Sequence, residues 1–280
     1  MNEVEILEYL KGLENRDISP KEENTFTNNL KEIKQNFVKD NNQQKAKKIW
    51  CYEQIYNVQN IYLSAFELMK KNKFYEAWQN FEQIEIKLSF LYPHFKEKNN
   101  EFYLKLILEY TRKFQSLYPY KFFISTEEII KEKECSICGK KISLRNHCGH
   151  IPGEIYDGEM CLRRITKVDF IGVSLVNSPD RKYAVAFPST SEGADSFDYK
   201  LLKYLINLLE SPFEKWNYKW SKRRHPHSFF KDITPNDNCP CESGKKYVDC
   251  CLNEKGVLRP HCQFYFYKEK KEKMDFEYCY

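Results

Sequence analysis

Eight of the eleven cysteines fall in two short windows, and no other feature constrains the fold as much. Cys135, Cys138, Cys148 and Cys161 make the first window, and Cys239, Cys241, Cys250 and Cys251 the second; Cys51, Cys262 and Cys279 stand apart. The opening stretch MNEVEILEYLKGLEN is acidic and amphipathic, unlike a signal peptide. No apolar run approaches the roughly 18–20 residues needed to cross a bilayer. These features predict a cytoplasmic protein, where thiols stay reduced and clustered cysteines mark metal sites rather than disulfides.

In the second window, Cys239 and Cys241 are separated by one residue and can face one ion from a tight turn. The adjacent Cys250 and Cys251, after eight further residues, can close a tetrahedron. Four thiolates on a zinc ion leave no open position for water, so the chemistry is structural. Lys245 and Lys246 are placed to offset the double negative charge, and the backbone N–H groups near Ser243 and Gly244 can donate to sulfur. The string resembles the SEC-C motif, the zinc-binding tail of the SecA translocation ATPase and of many otherwise unrelated bacterial proteins. Cys239, Cys241, Ser243, Gly244, Lys245, Lys246, Tyr247, Cys250 and Cys251 sit on its pattern. Glu242 replaces a usual glycine, and Leu252 stands where glycine often follows. The resemblance implies zinc binding and docking to protein or ribosomal partners, with no catalysis.

The first window opens with Cys135-Ser-Ile-Cys138-Gly139, the form of a zinc knuckle. Two further ligands come from His147, Cys148, His150 and Cys161; the favoured pair is His150 and Cys161, with Cys148 the nearest competitor. The stretch is similar to a cysteine-histidine module of phage-associated and uncharacterised bacterial proteins, which implies metal ligation and no particular activity. Arg145, Arg163 and Arg164 surround it and would offset thiolate charge. An alternative is enzymatic. Cys-x2-Cys followed by His-Ile-Pro also resembles the ββα-metal nucleases of the HNH class, in which His150 would be the base and phage defence the setting. Against that, Gly149 stands where an acidic neighbour is usual, and no asparagine–histidine pair follows. No catalytic residue is assigned.

The remainder predicts a mainly α chain. Gly12 is the only glycine before Gly139, and Ile55, Val58, Tyr62, Phe66 and Met69 recur at helical spacing. After a turn at 71–73, Phe74, Ala77, Trp78, Phe81, Ile84, Leu88 and Leu91 repeat the pattern, giving a helical hairpin over 46–95. It resembles a tetratricopeptide unit but has no second copy at that period. Ser125 to Glu128 reads as a helix cap, and 168–176 with 183–187 as a β-hairpin. Residues 188–196 read as a linker and 197–209 as an amphipathic helix. Residues 213–231 interleave aromatic and basic side chains, either a helix end with buried tryptophans or a nucleic-acid contact through Trp220, Lys222, Arg223 and Arg224. Residues 263–267 could add a strand to the zinc tail, and 268–273 read as a solvated charged tail.

The expected organisation is a helical domain over 1–125, a Cys/His zinc module with a β-hairpin over 126–190, an amphipathic helix and basic aromatic segment over 191–234, and a zinc tail over 235–280. With a net charge of only +5, the chain is no polycationic nucleic-acid coat. The expected role is a zinc-binding adaptor carrying two zinc ions and docking on a ribosome, RNA or protein client. The runner-up is the HNH-like nuclease.

Overall fold

A computed structural model describes residues 1–16, 20–188 and 197–268, the first four residues of the second helix as backbone only. The Ser19 cap, most of the 188–196 linker, the tail beyond 268 and Cys279 lie outside the described residues. The chain divides into two compact units, Met1–Tyr199 and Lys200–Tyr280.

The mainly α expectation is overturned. The described residues form six α-helices and three two-stranded antiparallel sheets, 39% helix and 23% strand, so strands carry over a third of the regular structure. In the first unit, α1 (Glu3–Lys11), α2 (Pro20–Lys39), α3 (Gln43–Lys70), α4 (Phe74–Leu91) and α5 (Leu104–Gln115) form a bundle. An Asn2–Glu5 capping box starts α1, and the Asn42 side chain caps α3 by accepting from the Lys45 N–H. The periodic apolar residues of α3 and α4 are all buried. Gln59 is fully buried among them. Its amide donates to the Leu10 and Phe102 carbonyls at 2.9 and 3.0 Å and accepts from Arg16 at 2.7 Å, tying distant segments to α3.

The predicted cap at 125–128 is instead the start of a strand. β1 (Phe123–Cys135) pairs antiparallel with β4 (Arg163–Val176), from Phe123 opposite Val176 to Cys135 opposite Arg163. The predicted hairpin of 168–176 with 183–187 therefore does not form. Val185 makes one bridge, to Phe123 at the base of the ribbon. The first cysteine window fills the connection between β1 and β4, so metal-binding loop and ribbon are one unit. Inside that connection, β2 (Ile155–Tyr156) and β3 (Glu159–Met160) turn through Asp157 and Gly158, both at positive φ.

Helix α4 anchors the base of this ribbon with one face. Trp78 donates to the Lys182 carbonyl at 2.6 Å and Tyr75 to the Tyr183 carbonyl at 2.8 Å. The buried Glu82 carboxylate accepts the Lys182 and Tyr183 N–H groups at 2.6 and 2.8 Å. Glu82→Ala removes an acceptor from two N–H groups at once. It is expected to destabilise the chain by about 2 kcal/mol in urea titration, with Glu82→Gln costing less because it keeps one acceptor oxygen.

The second unit holds α6 (Lys200–Leu208), β5 (Trp216–His225) and β6 (Val257–Phe266), the two strands paired from Trp216–Phe266 to His225–Val257. The basic aromatic segment is thus a strand, not a helix end. Among the described residues, no helix is long and apolar enough to cross a membrane.

Candidate metal centres

The second cysteine window folds as a compact knot. The Cys239 N–H donates to the Lys245 carbonyl at 2.7 Å, and the Glu242 N–H to the Cys239 carbonyl at 3.0 Å, so the turn doubles back. Sγ atoms of Cys239, Cys241, Cys250 and Cys251 all lie within 4.8 Å of one another. Cys241 and Cys250 are 3.5 Å apart, and Cys250 and Cys251 3.8 Å. Tetrahedral zinc with bonds near 2.3 Å sets its sulfurs about 3.8 Å apart, so these spacings suit one ion. Burial works against the Cys241 thiolate, but the Ser243 hydroxyl and N–H bring its pKa down to about 6. Burial pushes Cys239 up to about 12 in the metal-free knot.

Glu242 sits at φ 62, the left-handed region where the resembling motif has glycine. That conformation costs a side-chain-bearing residue about 1 kcal/mol. Arg259 of β6 offsets it: one guanidinium nitrogen lies 2.6 Å from the Glu242 carboxylate and 2.6 Å from the Pro240 carbonyl. Arg259 thereby pins the turn to the sheet. Neither partner stands out in the sequence, because the pair is seventeen residues apart. Tyr247 and Val257 are buried with Cys239 and Cys251, and Phe230, Ile233 and Leu252 pack around them. The Tyr247 hydroxyl meets His227 Nδ1, and His227 Nε2 donates to the Glu254 carbonyl at 2.9 Å.

In the first window, Cys135 ends β1 and its turn closes through Gly139, at φ 69, whose N–H donates back to the Cys135 carbonyl. Gly149, at φ 85, lets Cys148 and His150 turn inward from either side of it. The four mutually close donors are Cys135, Cys138, Cys148 and His150, within 4.8 Å of one another. Cys135 Sγ is 3.7 Å from His150 Nδ1 and 3.8 Å from Cys161 Sγ. Cys161 is fully buried and its sulfur accepts from Arg163 at 3.6 Å. Arg163 also donates to the His150 carbonyl at 2.6 Å. His147 turns away, donating to the Leu144 carbonyl. Burial opposes ionisation of Cys135, but the N–H groups of Cys138 and Ile137 and the nearby thiols lower its pKa to about 6.

The loop around this cluster is moored to the bundle. His94 donates to the Gly153 carbonyl at 2.7 Å, Gln43 exchanges hydrogen bonds with Asp157, and Lys34 lies between Glu53 at 2.7 Å and Glu159 at 2.8 Å. Of the remaining described cysteines, Cys51 and Cys262 are buried core thiols, raised by burial to about 11 and about 12.

The basic aromatic residues lie on β5. The register puts Trp220, Lys222 and Arg224 on one face of the ribbon, opposite Cys262, Pro260 and Leu258, and Arg223 on the other, opposite Arg259. Trp220 is 41% exposed, enough ring to stack on. Arg224 is engaged by Glu254 at 3.0 Å, and Arg223 approaches His261.

Comparison with known proteins accounts for part of this geometry. The SEC-C motif family matches residues 236–253, the whole of the second knot and a small part of the chain. No curated protein and no solved structure matches. Both cysteine groups have donor sets able to hold a metal ion, and thiolate-rich sets of this kind suit zinc.

Proposed function

We propose that the chain is a zinc-binding adaptor that docks on RNA through its second unit. Each cysteine group takes one zinc ion. Cys239, Cys241, Cys250 and Cys251 hold one; Cys135, Cys138, Cys148 and His150 hold the other, with Cys161 beside Cys135. Cys148 thus takes the place that spacing alone gave to Cys161, because it belongs to the mutually close quartet. A metal surrounded by three thiolates and an imidazole has no site for a substrate, and His150, as a ligand, cannot be a base.

The observation that carries the RNA reading is the shared face of Trp220 and Lys222 on β5. An exposed indole beside a flexible ammonium offers a base a ring to stack on and its phosphate a counter-charge. The motif at 236–253 supports a docking role, and Arg259 fastens it to the same sheet. The test is filter binding of the full, zinc-loaded chain to a single-stranded RNA over a range of salt. Trp220→Ala is expected to weaken binding roughly tenfold or more. Lys222→Ala is expected to reduce the salt slope by about 1. Binding that is absent at low salt, or indifferent to these residues, refutes RNA docking and leaves a protein client.

A further inference from the structure

The β1–β4 ribbon is exposed on both faces along most of its length, and one of the two faces is apolar. Between Phe123 and Ile130, β1 alternates without interruption, and the register fixes which residues of β4 share each face. One face holds Ser125, Glu127 and Ile129 with Ser174, Gly172 and Asp169, and Lys131 reaches Asp169 at 2.9 Å on that side. Phe123 lies on the same face and packs on Trp78 of the bundle at the ribbon's base. The opposite face holds Ile124, Ile130, Val168, Phe170, Val173 and Leu175, which are 41 to 64% exposed. A ribbon whose apolar face meets solvent lacks the covering layer that such a face ordinarily has.

Two features say what covers this face. The first is area. At ordinary side-chain sizes those six residues expose roughly 650 Å², so pairing two such faces hides roughly 1,300 Å², within the range of stable interfaces. The second is the ribbon itself. A two-stranded sheet is marginal alone, and a second sheet about 10 Å away supplies the missing layer. Edge-to-edge addition is a poorer solution. The bulge that leaves Ile171 unpaired twists the β4 side, and Val185 covers the β1 edge at the base. Between Phe123 and Ile130, Glu128, opposite Phe170, is the one charged residue on the apolar face.

We infer that the apolar face of this ribbon is a homodimer interface, closed by the same face of a second copy into a four-stranded β-sandwich. The test is sedimentation equilibrium of the full, zinc-loaded chain at about 50 μM, above the weakest Kd such an interface supports. Wild type is expected at the dimer mass. Phe170→Glu with Val173→Glu is expected at the monomer mass, with zinc content and far-UV circular dichroism unchanged. Should that pair disturb folding, Phe170→Ser with Val173→Thr keeps strand-forming residues and is expected to weaken dimerisation at least tenfold. Ile129→Lys, on the other face, is expected to remain dimeric. A monomeric wild type, a dimer that survives the apolar-face variants, or a dimer lost equally with Ile129→Lys each overturns the inference.

Discussion

Elemental analysis of the purified chain is expected to return two zinc ions per molecule, and Cys250→Ser and Cys135→Ser one each. This follows from how separately the two groups are built. Each has four donors within 4.8 Å of one another, and each is held by its own backbone turns. A tetrahedral ion that loses one thiolate of its four ligands keeps three donors and a water, and its affinity falls by orders of magnitude, so dialysis removes it. The other group shares no residue with it and keeps its ion. Two more variants separate the candidates in the first group. Cys148→Ser is expected to lose the ion and Cys161→Ser to retain it. The opposite result exchanges the two cysteines as ligand and neighbour without changing the count. Two ions retained by either of the first pair of variants would remove the structural-zinc reading of that group.

The parts of this protein that were readable in the sequence are those with a buried side. Ile55 to Met69 and Phe74 to Leu91 face a core, so selection for burial writes the helical period into them. Strand β1 has no such side. In Phe123-Ile-Ser-Thr-Glu-Glu-Ile-Ile-Lys-Glu-Lys-Glu-Cys135 nearly every residue is exposed, and Ser-Thr-Glu-Glu looks like a cap. Its partner also lies beyond the whole metal loop, out of reach of any local pattern. Strand β5 did carry a signal, Trp216, Tyr218 and Trp220 at period two, hidden by the basic residues that suggested a helix face. Asp157-Gly158 between two short pairs was a turn signal that the cysteine spacing overshadowed. The second metal group was legible because its four thiols leave little geometric freedom. In the first, Cys148 and Cys161 both come close to Cys135 in the fold, and spacing could not rank them.

Stripping the metal with a strong chelator is expected to unfold residues 236–253 while the α1–α5 bundle stays folded. The knot buries Tyr247 and Val257 with two cysteines, and little else, so its apolar core cannot offset the entropy of ordering two turns. A structural zinc ion contributes on the order of 10 kcal/mol to a module of this size, more than everything else there combined. The bundle has an apolar core of its own. It rests on Tyr62, Phe74, Phe81 and Phe114, each almost wholly buried, and on the Gln59 network. Hydrogen exchange is therefore expected to lose all protection from 239 to 252 on chelation, with the helical circular dichroism nearly unchanged and protection restored by added zinc. In the first unit, the Cys135–Arg163 end of the ribbon frays, while the Phe123–Val176 end stays held by Glu82 and its two N–H partners. Acid acts in the same direction. Even without metal, neighbouring N–H groups and thiols hold Cys135 and Cys241 at about 6, below the ordinary thiol value, so these ligands are poised to ionise and bind near neutral pH. Protonation there removes the ligands the ion requires, so acid release and chelation should give one exchange pattern. Protection that persists in the metal-free knot would mean its turns are self-sufficient and that zinc is cargo rather than scaffold.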